Sequence, residues 1–388
     1  MHIGVISSSY LNNYGSVLQA YALQTYLTNA GHNVEIIQYI PHPLGNSILE
    51  KVFNLYRKTG FIQATKELSQ YIVSSILTKH ISHQNNIFSD FRSSYLFISP
   101  ERYLHPEELR TFPPDYDVYI AGSDNIWGSF NNTGVTELNY PYYLDFVPIG
   151  KHKISYAASM GTPKLNEQQI PSFVTLLANF DYISVRGNST AEYVRSLCCN
   201  NIANVLDPTL LLTGDEWCNK FPAINKSEII SKKYVLVYVI YPLSKSAPIY
   251  QFVKKFAKRN NLIIKYVGYF HPKFGFPSYS DETIQDFLTY FKFASIIVTD
   301  SFHGTLFSLI FQKNFYTFPP RASENRITDM LSSINLLQRF VHTVSDAEVL
   351  NVEIDYTIPE QKLNELREFS MTWLNNAINS DKTSEAAS

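Results

Sequence analysis

The chain has 388 residues, with 32 basic and 34 acidic side chains and a formal net charge of -2. That balance, without any basic run, excludes a binder that works by neutralising nucleic-acid phosphates. Apolar residues are 45% and charged residues 17%, so the chain is globular and two domains are expected.

The N-terminus alternates strand and helix signals. Residues 3–9 form an apolar strand that ends in small polar residues. Residues 15–31 form a helix with an apolar face, stopped at Gly31. Residues 32–40 give the next strand, ended by Pro41 and Pro43. Strand, helix and strand in so short a span predict a parallel βαβ unit. Residues 46–100 read as a helical insertion or lid. Strands follow at 116–122 and 153–159, then a helix at 167–180 with Pro171 in its first turn. A strand at 182–187 leads to a helix at 189–198, for which Ser189 and Glu192 suggest a capping box. Residues 202–212 close this half, and Thr213 with Glu216 suggests a second capping box.

The second half repeats the alternation. Strands are expected at 233–241, 262–269, 295–300 and 314–318. Helices are expected at 247–259, 281–292, 306–312 and 325–333. A last amphipathic helix covers about 358–378, and 379–388 has the composition of a disordered tail. The expected division is 1–215 and 230–345, each Rossmann-like, with a helical segment at 346–378.

No leader peptide pattern and no membrane-length apolar run is present. Cys198, Cys199 and Cys218 make no disulfide framework or zinc pattern, so reduced thiols in a cytoplasmic chain are expected. The 27 Tyr and 26 Phe suit a thick core or a sugar-facing cleft, and composition does not choose between them.

Open parallel sheets bind ligands at the carboxyl ends of their strands, so polar residues there are the candidates. The first such turn offers Asn13, Tyr14 and Gly15, with Gln19 one helical turn further on. It lacks the GxGxxG of a dinucleotide site and reads equally as a capped polar turn. The second offers Ser123 and Asp124. Asp124 either caps the next segment or binds a sugar hydroxyl, and Trp127 is core or a cleft wall. Arg186 ends a buried strand, where it either binds an anion or forms a structural ion pair.

The strongest signal is IIVTDSFHGTLFSLIF at 296–311. It sets His303 at a strand's carboxyl end and a helix N-terminus, where an anion is favoured and a proton can be moved near neutral pH. Gly304 would admit a ligand close to the backbone. Asp300 either fixes the ring tautomer or caps the helix. Arg321 and Arg326 offer further positive charge, or simply begin a surface helix. No His cluster suggests a metal.

The strings NYGSVLQAYALQTYL (13–27), AGSDNIW (121–127), YISVRGNS (182–189), VLDPTLLL (205–212) and VTDSFHGTLFSLIF (298–311) together resemble the polysaccharide pyruvyl transferase family. The resemblance implies an α/β, GT-B-like fold of two Rossmann-like domains facing each other across a cleft. It implies transfer of pyruvate from phosphoenolpyruvate onto two sugar hydroxyls as a cyclic ketal, in bacterial surface or capsular polysaccharide biosynthesis. Phosphoenolpyruvate is then a co-substrate, and no metal or redox cofactor is needed. A lipid-linked acceptor would bring the chain to the inner membrane face. His303 would be the acid/base, with Arg186 and Asp300 beside it. Ser301, Gly304, Thr305, Arg321 and Arg326 would hold the donor, and Asn13, Tyr14, Gly15, Gln19, Ser123 and Asp124 the acceptor. Some relatives carry Arg two residues before the His; here Ser301 stands there, so Arg321 or Arg326 is expected to supply that charge. Two rival readings use the same layout: a nucleotide-sugar glycosyltransferase, with Asp329 on the ribose, and a non-catalytic carbohydrate-binding protein.

Overall fold

The computed structural model describes residues 1–41, 78–128, 138–161, 165–198, 201–224, 232–240, 247–268, 282–320, 324–350 and 353–380. Arg321 and most of the expected insertion lie outside these residues, as does 381–388 of the expected tail.

Short runs of β-branched and aromatic residues form two fully parallel sheets. The first holds β1 (His2–Ile6), β2 (Asn33–Tyr39), β3 (Ile98–Tyr103), β4 (Val118–Ala121), β5 (His152–Ala158), β6 (Tyr182–Val185) and β7 (Ile202–Asn204). Their spatial order is β3-β2-β1-β4-β5-β6-β7. The second holds β8 (Tyr234–Val239), β9 (Ile263–Gly268), β10 (Ile296–Thr299) and β11 (Phe315–Thr317), in the order β11-β10-β8-β9. The central strands β4, β8 and β10 are buried along their whole length, as helices on both faces of a parallel sheet require. In each sheet the chain order reverses once, between β1 and β4 and between β8 and β10. Such switch points open a crevice at the strands' carboxyl ends.

The region 46–100 is more than an insertion. Its C-terminal part supplies the helix Thr78–Tyr95 and then β3, which extends the sheet beside β2. Ile98 and Tyr103 fit a strand, but Pro100, Glu101 and Arg102 hid the period.

The helix Tyr14–Asn29 is buried nearly all round, not on one face. It lies between the first sheet and the second half. Tyr14 stacks on Phe287 with centroids 4.4 Å apart, and its hydroxyl donates to the Glu282 carbonyl at 2.5 Å. Tyr21 packs against Trp217 and Phe221, and Trp217 in turn against Phe307. Phe287 also contacts Tyr238, Phe291 and Phe307. Part of the aromatic content therefore forms a seam that joins the halves, and much of the rest fills the cores within each half.

The C-terminal helix Thr357–Asn379 returns to the first half. Ser370 accepts from the Leu206 amide at 2.9 Å, and Arg367 donates to the Leu210 carbonyl at 2.7 Å. His152 Nε2 lies 2.6 Å from the Ala377 carbonyl. No helix among the described residues is long and apolar enough to cross a membrane.

Candidate functional site

Both switch points open onto one buried polar cluster. From the first half come Ser8 after β1, Ser123 and Asp124 after β4, Arg186 after β6, and Asp207 after β7. From the second come Phe302 and His303 after β10, and Arg326 from the helix Glu324–Ser333.

Asp124 is anchored by its backbone as well as its side chain. Its φ of 86° lies in the left-handed region, where a non-glycine residue is uncommon. A bridge to Ala158 holds it there, with the Ser159 amide donating to its carbonyl at 3.0 Å. The Ser8 and Ser16 hydroxyls each donate to its Oδ2 at 2.7 Å, and the Asn125 amide donates to Oδ1 at 2.9 Å.

Asp207 organises the other side. It caps the short 3₁₀ turn Pro208–Leu211, with the Thr209 amide and hydroxyl donating to Oδ1 at 3.0 and 2.7 Å. Its Oδ2 pairs with Arg186 Nη1 and accepts from the Ser123 hydroxyl at 3.3 Å. His303 Nε2 lies 3.6 Å from the same oxygen. Burial alone would raise both carboxyls. The Arg186 guanidinium and His303, with the local hydroxyls, outweigh it, so Asp124 and Asp207 lie below the usual carboxylate range, Asp207 much the further.

His303 sits in the first turn of the helix Phe302–Ile310, which starts four residues earlier than expected. Its ring lies against Gly15 of the first half: a Cβ there would stand 2.0 Å from Nδ1. Arg186 is 3% exposed and His303 7%. Arg186 Nε and Nη2 and His303 Nε2 are buried with no hydrogen-bond partner. A buried donor in that condition is costly, which marks these atoms as the ones a ligand would engage.

Several expected residues serve the scaffold around this cluster. Arg186 does form the structural pair, with Asp207 and more loosely with Asp124 3.9 Å from Nη2, while its Nε and Nη2 make no hydrogen bond. Asn13 caps its helix, accepting from the Gly15 amide at 2.8 Å. Tyr14 belongs to the aromatic seam. Gln19 is fully buried and donates to the Ser16 carbonyl at 2.9 Å. Ser301 caps its helix, accepting from the Gly304 amide at 3.3 Å. That leaves Asp300 in neither expected role: it accepts from the Ile240 amide at 3.1 Å, and the carboxylate nearest the ring is Asp207. Gly304 is approached by the protein itself, since a Cβ would stand 2.2 Å from Thr299 Oγ1. Thr305 is buried against Thr317, their hydroxyls 2.9 Å apart. Trp127 is core, stacked on Tyr143.

Two residue pairs hydrogen-bond across the halves beside the cluster. Arg326 Nη1 donates to Asn125 Oδ1 at 2.9 Å. Ser189 forms no capping box with Glu192; its amide and hydroxyl donate to Asp329 at 2.9 and 3.0 Å. The helix Asn188–Leu197 is thus capped from the other half, because its own cap position is Gly187. This engagement takes Asp329 away from the ribose role. The box of Thr213 and Glu216 forms as expected.

Asp207 is the residue that sequence reasoning missed. Asp-Pro-Thr after a strand signals a capped turn, but no local pattern shows that the capping carboxylate also faces Arg186 and His303.

Known structures share the architecture. The chain is similar to the S. aureus MnaA–UDP co-structure, with 11% identity, a TM-score of 0.52, and coverage of 97% of this chain and 95% of that one. UDP-N-acetylglucosamine 2-epimerase from Rickettsia bellii gives 10% identity, a TM-score of 0.49, and coverage of 97% and 96%. At such identity the likeness speaks to the fold alone, which is of the GT-B type. No curated protein sequence matches the chain. The family model for polysaccharide pyruvyl transferase matches residues 13–320, a span that holds every residue of the cluster except Ser8 and Arg326. With that span covered, and the family's motif strings gathered at one site, the chain belongs to the polysaccharide pyruvyl transferase family and is a transferase.

Proposed function

We propose that this chain moves the pyruvyl group of phosphoenolpyruvate onto two hydroxyls of a sugar, giving a cyclic ketal on a surface or capsular glycan. The observation that carries the reading is the pairing of His303 Nε2 with Arg186 Nε and Nη2. All three are buried, without hydrogen-bond partners, at one junction of strand ends.

The chemistry asks for one proton donor and clamps for a small polyanion. His303 donates a proton to the methylene carbon, leaving an oxocarbenium-like centre. A sugar hydroxyl attacks that centre and gives its proton to a base, for which Asp124 lies on the acceptor side. The bond to the phosphate oxygen breaks and inorganic phosphate leaves. The second hydroxyl then closes the ring and releases its proton. Arg186 and Arg326 face the donor's charges, and the N-terminus of the helix Phe302–Ile310 adds its dipole. Acid–base catalysis and anion binding suffice for these steps, so no metal or redox cofactor is invoked.

The test is phosphate release and a mass gain on a panel of free and lipid-linked glycans supplied with phosphoenolpyruvate. Replacing His303 by Ala should lower turnover by ~10²–10⁴ while donor binding survives. Turnover near wild type in His303→Ala would sink the assignment. A thermal shift with UDP-sugars but not with phosphoenolpyruvate would favour a nucleotide-sugar enzyme instead.

A further inference from the structure

Phe302 lies against two arginines that come from different halves. Arg186 Cζ lies 4.5 Å from the ring centroid and Arg326 Cζ lies 5.5 Å from it. The two cations are therefore within about a Debye length, ~10 Å at 0.1 M salt, of each other. Like charges this close repel. Asp207 pairs with Arg186 and Asp124 lies 3.9 Å from its Nη2, while Asn125 accepts from Arg326. The ring is 6% exposed, and its negative faces attract both guanidinium groups.

A small pocket of about 50 Å³ opens beside this ring and these cations, lined by Arg186, Phe302, Arg326 and Asp207 and by apolar side chains such as Leu206 and Met330. At ~10–15 Å³ per water it has room for roughly three to five water-sized groups. That suits a phosphoryl group and is small for a hexose. Asp329 also lines it, but both of its oxygens accept from Ser189. Arg186, which lines the pocket, has two nitrogens that make no hydrogen bond, Nε and Nη2, the latter 3.9 Å from Asp124 Oδ1.

We propose that Phe302 is a positioning residue that fastens Arg186 and Arg326 into one clamp for a dianionic phosphoryl group. This rests on the reading that the site takes a phosphorylated donor. The donor's phosphoryl end enters the pocket, while its reacting carbons remain on the His303 side of Arg186.

The discriminating variant is pentafluorophenylalanine in place of Phe302, which keeps the shape and removes the negative ring face. Phe302→Leu, which removes the ring, accompanies it. Inorganic phosphate is titrated by calorimetry, and KM for phosphoenolpyruvate and kcat are measured in parallel. Both variants should weaken phosphate binding and raise KM about tenfold, with kcat within about threefold of wild type. Wild-type phosphate binding in the fluorinated variant overturns the proposal, even where Phe302→Leu is impaired, because the ring would then act by packing alone. Ring-dependent phosphate binding in a chain that pyruvylates no acceptor leaves the clamp standing and removes the pyruvyl-transfer reading. Pyruvyl transfer with ring-independent KM does the reverse.

Discussion

Gly15→Ala offers a clean separation of stability from activity. The added Cβ would stand 2.0 Å from His303 Nδ1 and 2.4 Å from its Cγ. Ordinary contact begins near 3.4 Å, so the ring must retreat by at least about 1.4 Å, and misplacing a reacting group by ~1 Å can cost ~10²-fold. The stability balance is much smaller. Overpacking costs about 1–3 kcal/mol, but Ala in place of Gly within a helix returns ~1 kcal/mol. The measurements are phosphate release from phosphoenolpyruvate and a urea melt. Turnover should fall by ~10²-fold, with stability lowered by no more than about 2 kcal/mol. Gly15→Ala acts only through the ring, so adding it to His303→Ala should cost no further activity. Activity within threefold of wild type, or a double variant clearly worse than His303→Ala alone, would refute the reasoning.

Other outcomes follow from the same geometry. Asp207→Asn leaves the buried Arg186 cation only Asp124, 3.9 Å from its Nη2, as counter-charge, so urea denaturation should show a loss of up to ~3 kcal/mol. The depressed Asp207 carboxyl also fixes a pH dependence. Its stabilisation is full above the unfolded-state value of ~3.9 and is lost as pH falls through the much lower folded-state value. Wild type should therefore lose more stability than Asp207→Asn in a melt taken at successively lower pH below about 4. Asp329→Ala removes a helix cap supplied across the halves, so a loss of ~1 kcal/mol is expected, together with faster amide exchange at Ser189. Arg326→Gln should raise KM for phosphoenolpyruvate more than it lowers kcat under the proposed function, which sets the guanidinium against the donor rather than the bond being made.

The sheets were largely legible in the sequence because each central strand is an uninterrupted apolar run that ends in a turn. β3 was not, because charged residues and a proline sit on an edge strand that has one neighbour only. The site was legible as a set of strand ends, since position after a strand is local information. What each residue does there was less so. Asn13, Tyr14, Gln19 and Thr305 lie in or just after the right strand-to-helix turns, yet their side chains serve caps, seams and internal hydrogen bonds. Gly15 shows why: its role is defined by an imidazole from 288 residues further along the chain. Asp207 was hidden by the reverse effect, because a capping pattern fully accounts for an aspartate that also holds Arg186. Ser189 followed a capping pattern in sequence, but a carboxylate from the other half took the bond.

The aromatic seam also equips the molecule with an optical probe. Of the three tryptophans, Trp127 is sealed in the first half and Trp373 rides on the C-terminal helix. Trp217 is different: it touches Tyr21 on one side of the seam and Phe307 on the other. Any widening of the seam would bring water to its indole and shift its emission to the red, without an added label. Excitation of a chain in which Trp127 and Trp373 are replaced by Phe thus reports the spacing of the two halves during donor addition, on the timescale of a stopped-flow mixer.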